Sequence, residues 1–258
     1  MEKTERRQRA VKTGRTTDTR PAPDNGTRTT RLGIRIRADG TAERGYAGVD
    51  MAEVYRSKPL YYKVVKRAFD ILASAILLIL LSPLFLIIAI AIRLDDGGKA
   101  IYSGKRWGRE FRYFPMYKFR TMHENAENRT NEVISEEDRN GMAFKIKDDP
   151  RITRVGKFLR KTSLDELPQL VNVLLGQMSM VGPRPIQTTT EDGDPYDMQR
   201  WCVKPGLTCY WQTSGRDLIP WDEWVEMDLK YIQDMSICTD LKLLLKTIPS
   251  VIGGKGAE

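Results

Sequence analysis

Two adjacent carboxylates, Asp165 and Glu166, stand in the run SLDELPQL (Ser163–Leu170). Acids in that position can do two kinds of work. Ser163 and Glu166 match a capping box, with the serine as N-cap and the glutamate at the third helical position. Asp165 equally suits the N-cap, with Pro168 tolerated in the first turn. The chemical alternative makes Asp165 a nucleophile toward phosphorus, because a carboxylate that forms an acyl-phosphate divides one hard step into two easier ones. The N–H groups of the helix start would face the phosphate oxygens. Glu166 would then help Asp165 hold Mg²⁺ or assist proton transfer, since this cation takes one or two carboxylates plus substrate oxygens.

Cations recur in three other segments. Arg184 lies in MVGPRP between two prolines whose fixed φ restricts where the guanidinium points. A planar fork there suits a phosphate; a rigid turn with a surface arginine is the plain alternative. Lys118 and Arg120 lie two apart in MYKFRTM, so on a strand both face one side and together suit a pyrophosphate, or simply a solvated face. KPGLTCYWQTSGR (Lys204–Arg216) offers Tyr210, Trp211, Gln212 and Arg216, types that serve sugar or base recognition and equally a buried turn.

Several chemistries are excluded. With one histidine, His123, the chain has no multi-histidine zinc site, and no Ser-His-Asp triad away from that residue. The three cysteines form no CxxC pair, which fits a reducing compartment. Neither GxGxxG nor GxxxxGK[ST] occurs. A net charge of +8 over 258 residues suits an anionic partner.

The elements that must position these groups begin with the uncharged run Ile71–Ile92, broken at its centre by Ser82-Pro83. As one helix it would be roughly 33 Å long, enough for a bilayer core. Lys63, Lys66 and Arg67 precede it, and Arg93, Lys99, Lys105 and Arg106 follow. Basic flanks prefer the cytoplasmic face, so flanks on both ends favour a helix–break–helix that enters and leaves by the same side. A kinked spanning helix is the alternative. Tyr61 and Tyr62 are placed for the interface. Ala100–Ser103 and Phe111–Met122 read as strands joined by Gly104–Glu110. Arg151–Gly176 reads as helical, with Val155, Phe158 and Leu159 opposing Arg154, Lys157, Arg160 and Lys161, and the tail repeats this with Leu241, Leu244, Leu245 and Ile248. Met122–Asp138 is polar and mostly acidic. Met1–Asp50 is poor in large apolar residues and reads as disordered. The expected fold is mainly α with a small β-hairpin (α+β). Its parts are a disordered basic tail (1–57), a re-entrant membrane hairpin (58–96) and a compact cytosolic catalytic domain (97–258) with interfacial amphipathic helices.

In their order and spacing, KRAFDILASAILLILLSPLFLIIAIAI, MYKFRTM, DDPRITRVGKFLRKTSLDELPQLVNVLLGQMSMVGPRP and KPGLTCYWQTSGR resemble the bacterial sugar transferase family of monotopic phosphoglycosyl transferases, from about Tyr61 to Ala257. The resemblance implies transfer of a sugar-1-phosphate from a UDP-sugar to undecaprenyl phosphate, with release of UMP, at the start of exopolysaccharide, capsule or O-antigen synthesis. It implies Asp165 as nucleophile, Glu166 as its dyad partner, Lys118, Arg160 and Arg184 as phosphate contacts, and Ser82-Pro83 as the break of a re-entrant hairpin. It also implies Mg²⁺ as cofactor and the cytoplasmic face of the bacterial inner membrane as location, with membrane lipid but no nucleic acid as partner and a homodimer left open. Many members carry GxTGWAQVNGR where this chain has GLTCYWQTSGR (Gly206–Arg216), which leaves the donor sugar unspecified and looks like the exopolysaccharide branch. A membrane-anchored adaptor whose basic tail binds acidic partners is the alternative from another class.

Overall fold

The computed structural model describes residues 27–124, 126, 149–186, 194–215 and 219–252. Residues 1–26, most of the acidic stretch within Met122–Asp138, and Arg216 lie outside the described residues.

The chain is mainly helical with small two-stranded sheets. Two short strands, β1 (Arg28–Thr29) and β2 (Arg35–Ile36), lead to helix α1 (Met51–Ser57), which Asp50 caps through the backbone N–H of Ala52. Part of the expected disordered tail is therefore built into the molecule. Ile34, Ile36 and Ala42 are buried in a cluster with Trp107, Trp201, Trp211 and Trp224. The backbone N–H of Gly45 donates to Glu226 at 3.1 Å and that of Met51 to Gln199 at 2.9 Å. Composition under-read this segment because its few apolar residues meet an aromatic surface made by distant parts of the chain.

Helix α2 (Leu60–Leu80) and α3 (Ser82–Asp96) meet at a bend of 61°. Pro83 sits in the first turn of α3, where a missing N–H costs nothing. The Ser82 hydroxyl donates to the Ile79 carbonyl at 2.8 Å, satisfying a group that the proline leaves free. Among the described residues no single helix is long and apolar enough to cross a membrane, whereas this bent pair passes by length and composition. Both outer ends return to the same body. Tyr62, Asp70 and Ser74 are buried at the start of the pair, and Ile88 and Ile92 pack with Phe119 and Leu159 at its end. Ile76, Ile79, Leu80, Leu86 and Ile87, around the bend, are exposed. Tyr61 is exposed as expected, but Tyr62 is in the core and donates to Asp240 at 2.9 Å.

Strands β3 (Ile101–Trp107) and β4 (Tyr113–Phe119) form an antiparallel hairpin in the register Tyr102↔Lys118 and Gly104↔Met116. β3 is longer than its sequence suggested, because Glu110 and Phe111 take left-handed conformations that close a tight turn. The stretch expected as one helix is two, α4 (Arg154–Thr162) and α5 (Gln169–Leu175), parted by a 3₁₀ turn at Leu164–Glu166. Ser163 ends α4 with φ of 56°, so the chain changes direction there. Strands β5 (Ser179–Val181) and β6 (Gly206–Thr208) run parallel. Gly182, just past β5, and Gly206, the first residue of β6, touch so closely that a Cβ on Gly206 would lie 2.0 Å from the Gly182 nitrogen. After the single turn α6 (Pro195–Met198) come α7 (Tyr210–Ser214), the buried α8 (Trp221–Asp234) and α9 (Ile237–Ile252). The largest core cluster includes Phe114, Met116, Leu170, Val173, Met178, Leu229, Ile232 and Leu243. Phe158, Leu241, Leu245 and Ile248 leave apolar stripes exposed on α4 and α9.

Gly156 lets α4 lie directly on the β4 end, since a Cβ there would be 2.1 Å from the Thr121 carbonyl oxygen. Overpacking of this kind costs about 1–3 kcal/mol and more against backbone. Gly156→Ala is therefore expected to lower the thermal midpoint by several degrees, as checked by scanning fluorimetry; an unchanged midpoint would contradict this packing.

Candidate active site

The 3₁₀ turn that parts α4 from α5 carries Asp165 and Glu166. The capping readings do not hold here. Ser163 closes α4 rather than opening a helix, and α5 starts at Gln169, after Pro168, with no side-chain cap. Both carboxylates are thus free to meet cations. Glu166 takes the greater share. Arg184 grips it with both terminal nitrogens, one at 3.1 Å from Oε2, Lys118 Nζ lies 3.2 Å from Oε1, and Gln212 Nε2 lies 3.4 Å from Oε2. Lys118 also stands 3.7 Å from Asp165 Oδ2.

Each partner is fixed by its element. Lys118 projects from β4. Arg184 follows β5, its guanidinium centred 5.3 Å from the Trp211 ring centroid. Gln212 is on α7, brought alongside by the parallel β5–β6 pair and the Gly182–Gly206 contact. Arg160, on the last turn of α4, donates from Nε to Thr121 Oγ1 at 2.9 Å and lies close enough to feel the charge of Asp165. Arg120 is not in this group. It falls just after β4 and pairs with Asp96 of α3, so the shared face expected for Lys118 and Arg120 ends at Phe119. Arg216 is outside the described residues. Ser82 and Pro83 occupy the bend.

Electrostatics separate the two acids. Burial raises the Asp165 carboxyl above the usual aspartate range; Lys118 pulls it back, and the charge on Glu166 pushes it further up. Burial also acts on Glu166, but Arg184 and Lys118 outweigh it and hold this carboxylate well below the usual range. Paired acids driven apart in this way take different roles. Glu166 is held as an anion by its cations, and Asp165 is the carboxylate that binds its proton more tightly.

Arg106 was not singled out from the sequence except as a flanking charge. It shares the Lys118 face of the β3–β4 hairpin, opposite Phe114, and lies within electrostatic reach of Arg184. Burial lowers its guanidinium, with Arg184 adding to the effect. The alternation Tyr102, Gly104, Arg106 on a strand was the available signal. Lys118, Arg160 and Arg184 thus flank the two carboxylates, with Arg106 beyond them within reach of Arg184, an excess of positive charge fit for a diphosphate. Trp201, Trp211 and Trp224 and the buried pair Arg200–Asp228 (2.5 Å) support Arg184 from behind, and Arg200 donates to the Arg184 carbonyl.

A family model described as "Bacterial sugar transferase" matches residues 61–254. The chain belongs to the bacterial sugar transferase family. Galactosyl transferase CpsE of Streptococcus agalactiae is 43% identical over 199 residues, covering 76% of this chain and 44% of that protein. Undecaprenyl-phosphate galactose phosphotransferase of Salmonella typhimurium is 43% identical over 209 residues, 76% of this chain and 42% of the relative. Exopolysaccharide production protein ExoY of Rhizobium meliloti is 41% identical over 205 residues, 75% of this chain and 88% of ExoY. The chain therefore spans less than half of the first two relatives and most of ExoY. All the segments that gather around Asp165 lie within the family match, whereas β1, β2 and α1 precede it.

The donor set fits Mg²⁺ in a limited way. Among the described residues no group of three or more His, Cys, Asp or Glu could hold a metal, and the Glu166 oxygens already receive Arg184, Lys118 and Gln212. Asp165, which has Lys118 at 3.7 Å, joined by substrate phosphate oxygens is still a donor set this cation accepts.

Breaking a buried pair by removing one partner costs about 3–5 kcal/mol. Arg184→Met should destabilise the protein on that scale, and adding Glu166→Gln should recover a large part of the loss. Denaturant unfolding of both single variants and the double checks the coupling; additive losses would contradict it.

Proposed function

We propose that the protein transfers a sugar-1-phosphate from a UDP-sugar to undecaprenyl phosphate through a covalent intermediate on Asp165. The observation that carries this is the division of labour in the dyad: a fully ion-paired Glu166 beside an Asp165 that is buried, cation-flanked and otherwise unspent. The names of relatives support the substrates. One is an undecaprenyl-phosphate galactose phosphotransferase, another a UDP-galactose-lipid carrier transferase from Erwinia amylovora, 39% identical over 233 residues.

In the first step an Asp165 oxygen attacks the β-phosphorus of the donor. The new bond joins the carboxylate to the sugar phosphate, the P–O bond to UMP breaks, and UMP leaves with that electron pair. In the second step an oxygen of undecaprenyl phosphate attacks the same phosphorus, and the Asp165–phosphorus bond breaks to return the carboxylate. Lys118, Arg184 and Arg106 neutralise the phosphate oxygens, while Arg160 lies on the α4 side of Asp165. Glu166 keeps Lys118 and Arg184 oriented. Mg²⁺, held by Asp165 when bound, would supply further neutralisation of the diphosphate.

The same reading places the α2–α3 pair in the cytoplasmic leaflet of the bacterial inner membrane as a re-entrant hairpin. Its ends pack on one body and its bend is apolar and exposed, and a backbone break is tolerated in hydrocarbon where local groups satisfy it, as Ser82 does for Ile79. The exposed stripes of α4 and α9 would lie in the interface.

Incubating the protein with labelled UDP-sugar and no acceptor should trap label on the chain and release UMP. Asp165→Asn should abolish the trapping and lower turnover on the order of 10³-fold or more, about 4 kcal/mol of barrier. Equal trapping by Asp165→Asn would end the assignment. Cysteines placed at Ser57 and Lys99 should both react with an impermeant thiol reagent from the cytoplasmic side of inner-membrane vesicles; reaction from opposite sides would show a span.

A further inference from the structure

The start of α2 carries three cations, Lys63, Lys66 and Arg67, and Lys204 stands with them beside a cleft that the dyad does not share. This cleft is lined by Tyr55, Lys63, Arg67, Asp70, Ser179 and Lys204 among others. It lies at the far end of α5 from Asp165 and Glu166. α5 has 7 residues, and at about 1.5 Å per residue this separates the two places by roughly 10 Å of helix.

The charges around the cleft do not balance within it. Lys66, which also borders it, is committed to Asp240, Tyr231 and the Val181 carbonyl. Arg67 donates to the Val173 and Leu174 carbonyls at the C-terminus of α5, and Lys63 donates to the Arg56 carbonyl, all neutral partners. Lys204 has no hydrogen bond or ion pair among the described residues. Asp70, the carboxylate of the cleft wall, already accepts from Ser179 Oγ at 3.0 Å and the Met180 N–H at 2.8 Å.

Lys204 and Arg67 converge on one point. A Cβ built on Gly176 would lie 3.1 Å from Arg67 Nη2 and 3.4 Å from Lys204 Nζ, and Gly176 has φ of +83°. A bare left-handed glycine thus lets two cations stand over the same patch of backbone. Burial lowers the Lys204 ammonium and Arg67 lowers it further, against a partial pull upward from Asp70 in the cleft wall. Like charges held this close and half-buried are stabilised by an anion between them. Exposed Leu60, Tyr61, Val64 and Val65 flank the cleft on α2, so its mouth opens beside the apolar surface assigned above to lipid.

We infer that the cleft between α2 and Lys204 is a second anion site, which takes a phosphate group, that of an anionic lipid headgroup at the membrane rim. The lipid as source rests on the re-entrant reading of α2–α3; the phosphate chemistry rests on Lys63, Arg67 and Lys204 alone. The site plays no part in the transfer at Asp165.

The test is the thermal unfolding midpoint of the full chain in a neutral detergent. Three titrants are compared: short-chain phosphatidylglycerol, phosphatidylcholine of the same chain length, and inorganic phosphate. Phosphatidylglycerol should raise the wild-type midpoint, as any ligand of the folded state does, and phosphatidylcholine should not. Lys204→Gln should weaken the apparent affinity about tenfold, as loss of one charge-assisted contact does, while Lys204→Arg should keep it. An equal shift with inorganic phosphate keeps the site and makes a soluble phosphate its source. Equal shifts in wild type and Lys204→Gln, no shift with any titrant, or equal shifts with phosphatidylcholine would overturn the proposal. Lys204→Gln should still trap sugar phosphate on Asp165; if wild type traps none, the proposed reaction fails while the midpoint shifts still report on the anion site.

Discussion

The charge on Glu166 is the constraint around which this molecule is arranged. A buried carboxylate is tolerated only with cations and donors against it. Here those partners come from three separate places: Lys118 from the β-hairpin, Arg184 from the turn after β5, and Gln212 from α7. Each needs its own local device. The hairpin register aims Lys118, the two prolines around Arg184 stiffen its turn, and the Gly182–Gly206 contact brings α7 alongside. Asp165 benefits without sharing the cost. Burial and the charge on its neighbour keep its carboxyl raised, while Lys118, Arg184 and Arg160 pull it back only in part.

The helix break at Ser82-Pro83 solves a related problem of polar groups in apolar surroundings. The bend frees a carbonyl, and the nearest hydroxyl takes it up. Return of both outer ends to one body then couples the hairpin to the dyad. α3 packs on α4 through Ile88, Ile92 and Leu159, and α4 ends at Ser163, two residues before Asp165. α2 packs on α5 and is tied to its last turn by Arg67. The turn bearing the dyad is therefore slung between the two arms of the hairpin.

Much of this was legible in the residues, and the misses have physical causes. The order of the motifs specified the family, and the serine beside the proline announced the satisfied break. The role of Asp165 stayed open between capping and chemistry, because both need acids before an apolar run; the left-handed Ser163 removes the capping readings, and backbone sign is invisible in a serine. Lys118 and Arg120 parted because strand β4 ends between them. Arg106 was hidden by its place in a basic flank, where strand alternation was the better guide. Tyr62 looked interfacial by type yet is held in the core by Asp240, a residue 178 positions away.

The segment from β1 to α1 lies ahead of the family match, yet it closes the aromatic cluster that backs Arg184. Ile36 seats among tryptophans, and the Gly45 N–H meets Glu226 on α8. Trimming the chain to the family boundary at residue 61 would strip that lid from four indoles and leave Glu226 short of a donor. What looks like a dispensable leader is thus the outer plank of the hull, and a shortened protein would be sticky before it was inactive.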